Sequence, residues 1–288
     1  MSGDGPRVSI VHACLRDGRG GSPTAVLDEA PLTDGERRRV PVLMGTSHAV
    51  FVSAYDGPDG PVAALRFFTS EGELPACGHG TVAALAFLAE RAGSGEHRTT
   101  LHTTGRAFAG RAVREKGHIT ASFDTGPVDL REPTAIECAL VLPALGVTAD
   151  ILAPGTRGAA IGRPRLLVPV ATRSALAALD PDPERLRAAC DRLGLLGCYV
   201  YSVPERPGRA AARMFAPSIG VPEDVANANS TACLAAHLAD RGVTGIAVDM
   251  GDSLGSPATI TATTRPGPSG SLVRLGGAAR IVRVLRLP

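Results

Sequence analysis

Lysine is almost absent from this sequence: Lys116 is the single lysine among 30 basic side chains. A phosphate-binding Walker loop needs Gly-Lys followed by Ser or Thr, and no such string occurs. A pyridoxal-phosphate enzyme needs a Schiff-base lysine. Lys116 is the sole candidate, and Arg114-Glu115-Lys116-Gly117-His118 reads as an exposed turn. Tryptophan is missing, and aromatic residues make up only 3% of the chain, which leaves few platforms for stacking bases. The formal net charge is only +2, so no polybasic nucleic-acid surface is indicated. No apolar run approaches the roughly 18 residues of a membrane span. No apolar leader follows Met1, and the expected location is therefore the cytoplasm, with reduced thiols. The six cysteines, Cys14, Cys77, Cys138, Cys190, Cys198 and Cys233, contain no CxxC pair. A zinc knuckle is not expected, no His/Cys/carboxylate set has usable metal-ligand spacing, and Cys190 and Cys198 read as packing residues.

What remains is an ordinary globular composition in 288 residues, 44% of them apolar, enough for about two domains with their own cores. The clearest internal signal is a duplication. Ala64–Ser70, Glu73-Leu74-Pro75 and Ala83–Gly93 form the first copy. Ala211–Pro217, Gly220-Val221-Pro222 and Leu234–Gly242 form the second. Each copy reads as a strand, a short polar loop and an Ala/Leu-rich helix. The rest of the chain is mostly β. Strands are expected at Val8–Val11 and Pro23–Leu27. Ala49–Ala54 and Val62–Phe68 should form a hairpin, and Thr99–Thr103, Ala107–Val113 and His118–Phe123 a meander. The pattern breaks over Asp124–Pro133. Beyond it come a helix at Pro183–Leu193 and strands near Cys198–Val203, Arg213–Ala216, Gly245–Asp249, Ala258–Thr263, Ser271–Leu275 and Ala279–Val284. A doubly wound parallel sheet is disfavoured, because strands do not alternate regularly with long helices.

The chemistry-bearing residues collect where each repeated helix starts. The first junction is Glu73-Leu74-Pro75-Ala76-Cys77-Gly78-His79-Gly80-Thr81. The second runs from Glu223 and Asp224 through Asn227 to Asn229-Ser230-Thr231-Ala232-Cys233. Helix starts carry unpaired N–H groups and a positive dipole end, which suit a carboxylate. Gly78 and Gly80 would let a ligand approach the backbone. Asn229, Ser230 and Thr231 are residues of the capping type.

These strings resemble the PhzF-like isomerase family of the diaminopimelate epimerase superfamily. The first junction is similar to the family's E-x-P-x-C/A-G-H-x-T pattern. Gly21-Ser22-Pro23-Thr24-Ala25-Val26 is similar to its early G-N-P-x-A-V, with Ser22 in place of the polar Asn. Ser47-His48-Ala49-Val50-Phe51-Val52 is similar to its S-E-x-x-F-V. Arg213 to Asp224, and Met250-Gly251 with Val273–Ala278, extend the match in the same order along the chain. The resemblance implies an α+β protein of two similar domains, each a β-barrel-like antiparallel or mixed sheet around a central helix, the diaminopimelate epimerase-like fold. The boundaries expected are 1–128, joined by a returning strand at about 278–288, and 129–277. The active site would lie between the domains, and a homodimer is implied.

The implied activity is cofactor-free proton transfer on a small carboxylic or amino acid, moving a double bond, as in bacterial secondary metabolism. His48 stands where the family has its catalytic Glu. A neutral imidazole can do the same work, so His48 and Asp224 are the candidate proton-transfer groups. His79 is the candidate donor to the substrate. Ser22, Gly78, Gly80, Thr81, Asn229, Ser230 and Thr231 are the candidate substrate contacts. The family's Gly-Ser is replaced by Ala228-Asn229, and its Pro by Val225. A rival reading is a racemase using Cys77 and Cys233 as opposed thiols, because Cys77-Gly78-His79-Gly80 also fits the first racemase motif. A third is a non-catalytic binding protein on the same fold.

Overall fold

The computed structural model describes residues 5–204, 208–267 and 270–288. The chain divides into two compact units. One runs up to Asp124 and takes back Leu275–Pro288; the other is Thr125–Arg274.

The first unit is a ring of strands around one helix. Its elements are β1 (Arg7–Leu15), β2 (Ser22–Asp28), α1 (Asp34–Met44), β3 (His48–Gly57), β4 (Gly60–Phe68), β5 (Glu73–Leu74), α2 (Gly78–Ala92), β6 (Glu96–Thr103), β7 (Arg106–Glu115) and β8 (His118–Asp124). β1 pairs antiparallel with β2, β2 parallel with β3, β3 antiparallel with β4, and β4 parallel with β6. β6, β7 and β8 form the antiparallel meander. The last strand, β17 (Gly270–Arg286), pairs with β8 on one side and with β1 on the other, from Arg7↔Arg286 to Leu15↔Ala278. That pairing closes the ring and removes the free edges that an open sheet leaves.

Helix α2 fills the ring. Every residue from Gly78 to Ala89 is buried, and the helix touches β1, β2, β3, β4, β6, β7 and β8. Such a helix is apolar all round, as the sequence Val82-Ala83-Ala84-Leu85-Ala86-Phe87-Leu88-Ala89 requires. The small Ala side chains let the strands approach it closely. Gly93 ends it in the left-handed conformation, with its N–H donating to the Ala89 carbonyl.

The second unit repeats the plan. It contains β9 (Asp129–Arg131), α3 (Ala135–Ala144), β10 (Arg157–Ala160), β11 (Pro164–Val170), α4 (Arg173–Ala177), α5 (Pro183–Leu193), β12 (Gly197–Ser202), β13 (Arg209–Ala216), β14 (Val221–Asp224), α6 (Ala228–Ala239), β15 (Gly245–Met250) and β16 (Ala258–Gly267). β11 runs parallel to β12 and β13 parallel to β15; β9–β10, β10–β11, β12–β13 and β15–β16 are antiparallel. Helix α6 packs on β9, β10, β11, β15 and β16, and all of Ser230–Leu238 is buried. Cys190 and Cys198 belong to an apolar cluster formed with Val141, Leu166, Leu186 and Phe215.

The duplication extends to side chains. Arg66 donates from Nε and its second amino group to both carboxylate oxygens of Glu73, at 2.9 and 2.7 Å. Arg213 does the same to Glu223, at 2.9 and 2.8 Å. Each guanidinium also lies over the phenylalanine two residues on, Phe68 at 5.1 Å and Phe215 at 4.9 Å. The bidentate fork fastens the short strand before each central helix to the long strand beside it.

Two expectations need correction. Ser271–Leu275 and Ala279–Val284 are one continuous strand, β17, and Gly276-Gly277 does not interrupt it. An added Cβ at Gly277 would meet Cys14 Sγ at 3.0 Å, so this glycine serves close strand packing rather than a turn. The break at Asp124–Pro133 holds a short strand, β9, paired with β10. Helices α1, α3 and α4 were not expected. α1 and α3 open with capping boxes, Thr33 with Glu36 and Thr134 with Glu137.

The two Arg–Glu forks differ in exposure. The Arg66 and Glu73 side chains are 35% and 32% exposed, against 13% each for Arg213 and Glu223. Glu223→Gln should therefore cost about 2 kcal/mol, and Glu73→Gln less than about 1 kcal/mol. Urea denaturation of both variants checks the order; a larger loss at Glu73 would refute it.

Candidate functional site

Strand β3 begins with His48, which the parallel register sets opposite Thr24 of β2. The ring is buried, and Nδ1 is 2.9 Å from the Ser47 hydroxyl. Helix α2 begins at Gly78, with Cys77 as its N-cap residue. The Cys77 side chain makes no capping hydrogen bond. Its sulfur lies instead 3.6 Å from His79 Nε2. The His79 ring meets that of His48 edge to face, centroids 4.4 Å apart at 85°. A single donor atom from each of His48, Cys77 and His79 falls within 4.8 Å of the other two. Sequence spacing gave no metal-ligand set, yet the fold brings His48 to Cys77 and His79, which follow it by 29 and 31 positions, and local spacing does not display that meeting.

The loop that carries Cys77 is held from below. Thr81 donates from its backbone N–H (2.9 Å) and its hydroxyl (2.8 Å) to the Cys77 carbonyl. Thr81 thus braces the loop through both groups. Gly80 stands in a tight space. A Cβ there would stand 2.9 Å from Cys77 Sγ and 3.1 Å from both Phe67 and Val50. Gly80 makes room for the thiol and the strand side chains. Gly78, the first residue of α2, is buried. Ser22 opens β2, fully buried, and its hydroxyl has no hydrogen-bond partner among the described residues. It lies two residues before Thr24, on the same face of β2 as the partner of His48.

In the second unit Asp224 ends β14 and is buried. Its carboxylate accepts from Asn227 Nδ2 at 3.0 Å and from the Ala226 N–H at 3.4 Å. Asn227 is the cap of α6: its side-chain oxygen accepts from the Ser230 N–H at 3.0 Å. The cap thus lies two residues before Asn229, Ser230 and Thr231, which belong to the first turn of the helix. Ser230 and Thr231 turn inward. The Ser230 hydroxyl receives Arg165 at 3.1 Å and approaches Met214 Sδ. The Thr231 hydroxyl pairs with Tyr199 at 2.8 Å and bonds the Asn227 carbonyl. Both hydroxyls fasten α6 to its surroundings. Asn229 is half-buried in the same turn.

Arg165 went unnoticed in the sequence. It is fully buried, and its guanidinium donates to Ser230 Oγ and to the carbonyls of Ile161 and Arg163. Burial lowers its pKa. An arginine in a strand carries no sequence signal for burial; a fixed contact 65 residues away supplies it. Cys233 lies well inside α6, fully buried, and burial pushes its thiol up, with Arg165 opposing. A thiol so placed is a poor proton acceptor.

The family model described as Phenazine biosynthesis-like protein, PhzC-PhzF, matches residues 15–284. The chain belongs to the PhzC-PhzF family. Among relatives, the trans-2,3-dihydro-3-hydroxyanthranilate isomerase of Pseudomonas fluorescens is 31% identical over 232 residues, 77% of this chain and 76% of that protein. The uncharacterized isomerase YddE of Escherichia coli O157:H7 is 30% identical over 232 residues, 78% of this chain and 76% of that one. A solved structure of a predicted epimerase from Pseudomonas aeruginosa superposes with a TM-score of 0.84 at 26% identity, covering 98% of this chain and 99% of that one. This PhzC-PhzF member is accordingly an isomerase with the α+β, barrel-around-helix fold of its family. Among the described residues, no helix is long and apolar enough to cross a membrane.

Burial, and after it the charge of neighbouring His79, holds the His48 imidazole well below the usual histidine value. It is neutral at pH 7. In the unfolded chain the same group takes up its proton near pH 6.5. Between the two values the unfolded state binds more protons, so stability is lost as pH falls below about 6.5. His48→Gln removes this contribution. The loss of denaturation midpoint from pH 7 to about pH 5.5 should be smaller in the variant than in the wild type; equal losses would refute the assignment.

Proposed function

We propose that this isomerase moves a proton, and with it a double bond, on a small unsaturated or cyclic amino or carboxylic acid, without a cofactor. The observation that carries the reading is the meeting of a neutral, buried His48 with His79 and Cys77 at the start of α2. A general base must be unprotonated at working pH, and burial keeps His48 so. Its Nδ1 is occupied by Ser47, which leaves Nε2 to take a carbon-bound proton. Once protonated, the same desolvated ring is a strong acid and returns the proton readily to another carbon. The pair of electrons released at the first carbon spreads toward the carboxylate and shifts the double bond. His79 and the positive dipole end of α2 are suited to hold that carboxylate and to stabilise its dienolate-like form.

The Pseudomonas fluorescens relative is named for a dihydro-hydroxyanthranilate, an unsaturated cyclic amino acid, and this supports the substrate class. The exchange of the family's Glu for His48 argues for a different member of that class. Asp224 enters as the second proton-carrying group through the family resemblance; its bonds to Asn227 and Ala226 are those of a cap carboxylate. The two-thiol alternative needs Cys233 as an ionisable group, and its burial inside α6 speaks against that.

Deuterium wash-in from D₂O, followed by NMR on a panel of proline, pyrroline, dienoic and dihydroaromatic acids, tests the reading. Exchange at a vinylic or γ-carbon with a displaced double bond is expected. His48→Gln should slow it by about 100-fold or more while preserving the fold. Exchange confined to Cα with racemisation, or a full rate in His48→Gln, would overturn it.

A further inference from the structure

The same three side chains have the composition of a metal site, and nothing in the isomerase reading uses that property. Two imidazoles and one sulfur form a nitrogen and thiolate set with no carboxylate. Such a set selects zinc and other thiophilic ions over magnesium or calcium. The distances agree. In tetrahedral coordination a zinc–sulfur bond of about 2.3 Å and a zinc–nitrogen bond of about 2.0 Å put sulfur and nitrogen about 3.5 Å apart. Cys77 Sγ and His79 Nε2 are 3.6 Å apart, and His48 brings its donor within 4.8 Å of both.

The supporting contacts are also of the kind that hold metal ligands in place. Ser47 Oγ bonds His48 Nδ1, and such a contact on the far ring nitrogen fixes a ring's orientation. Thr81 holds the Cys77 carbonyl twice over, and Gly80 leaves the sulfur its space. Cys77 and His79 sit on one helix start and His48 on the first residue of a strand enclosing that helix, so the set is rigid. Three protein ligands leave one tetrahedral position for water or a carboxylate.

We infer that His48, Cys77 and His79 bind one thiophilic divalent cation of the Zn²⁺ type, and that the bound ion stops proton transfer. Binding replaces the thiol proton with a metal–sulfur bond and releases that proton to solvent. It also ties up imidazole lone pairs, so no base remains to take a proton from carbon. The site itself does not depend on the proposed reaction; the block on turnover rests on that reading.

The test uses Co²⁺ as a visible probe on the full-length protein after EDTA treatment. One equivalent should produce the intense visible bands of tetrahedral cobalt with a sulfur-to-metal band in the near ultraviolet. Zn²⁺ should bleach both. In wild-type protein, Zn²⁺ should also protect the Cys77 peptide from iodoacetamide, read by mass spectrometry; neither measurement needs a variant. Cys77→Ser should lose the sulfur band, and His79→Gln should weaken binding by about 100-fold or more. No tetrahedral spectrum with the wild type, or an unchanged spectrum in Cys77→Ser, would overturn the site and leave the base assignment untouched. Deuterium exchange at full rate with the site filled would overturn the block, and with it His48 as the base. Restoration of exchange by EDTA supports both.

Discussion

Everything in the first unit depends on enclosing one apolar helix. Helix α2 has no polar face from Val82 to Ala89, so it is stable only where strands cover it on all sides. The strands in turn need something to fill the ring they make. β17 completes that ring by returning from the far end of the sequence to lie between β8 and β1. The cost of this arrangement is that the polar start of α2 is buried as well. A polar cluster at that point is what the architecture allows, and Cys77, His79 and His48 occupy it.

The Arg–Glu fork recurs in each unit for a related reason. The short strand before each central helix must approach the long strand at a set height, or the helix start would slide. A bidentate guanidinium–carboxylate pair sets distance and orientation together, and an aromatic ring beneath it limits tilt. The two helix starts then diverge. At α2 the cap residue is a cysteine whose side chain makes no capping bond, and polar side chains face one another. At α6 Asn227 caps, Asp224 orients the cap, and Ser230 and Thr231 fasten the helix to Arg165 and Tyr199. The first start keeps its chemistry available, whereas the second spends most of its polar groups on its own support.

Much of the strand pattern was legible because alternation and turn residues are local. The β3–β4 hairpin and the β6–β8 meander follow from it directly, as does the paired strand–loop–helix repeat. Helices α1 and α3 also carry a local signal, Thr33 with Glu36 and Thr134 with Glu137, although neither helix was expected. The cap of α6 was ambiguous, because Asn227, Asn229, Ser230 and Thr231 are all capping residues. Only backbone conformation chooses among them.

The sequence by itself determined the family, the repeated unit and the residues that gather at the two helix starts, because each is written in contiguous strings. Tertiary structure alone decided which of those residues face one another. His48 reaches Cys77 and His79 through strand pairing and helix enclosure, and burial then keeps its ring neutral. It also decided which hydroxyls are consumed: Thr81, Ser230 and Thr231 turn to partners that no spacing predicts. Side-chain direction on a helix is set by where the helix packs, and that is a property of the whole fold.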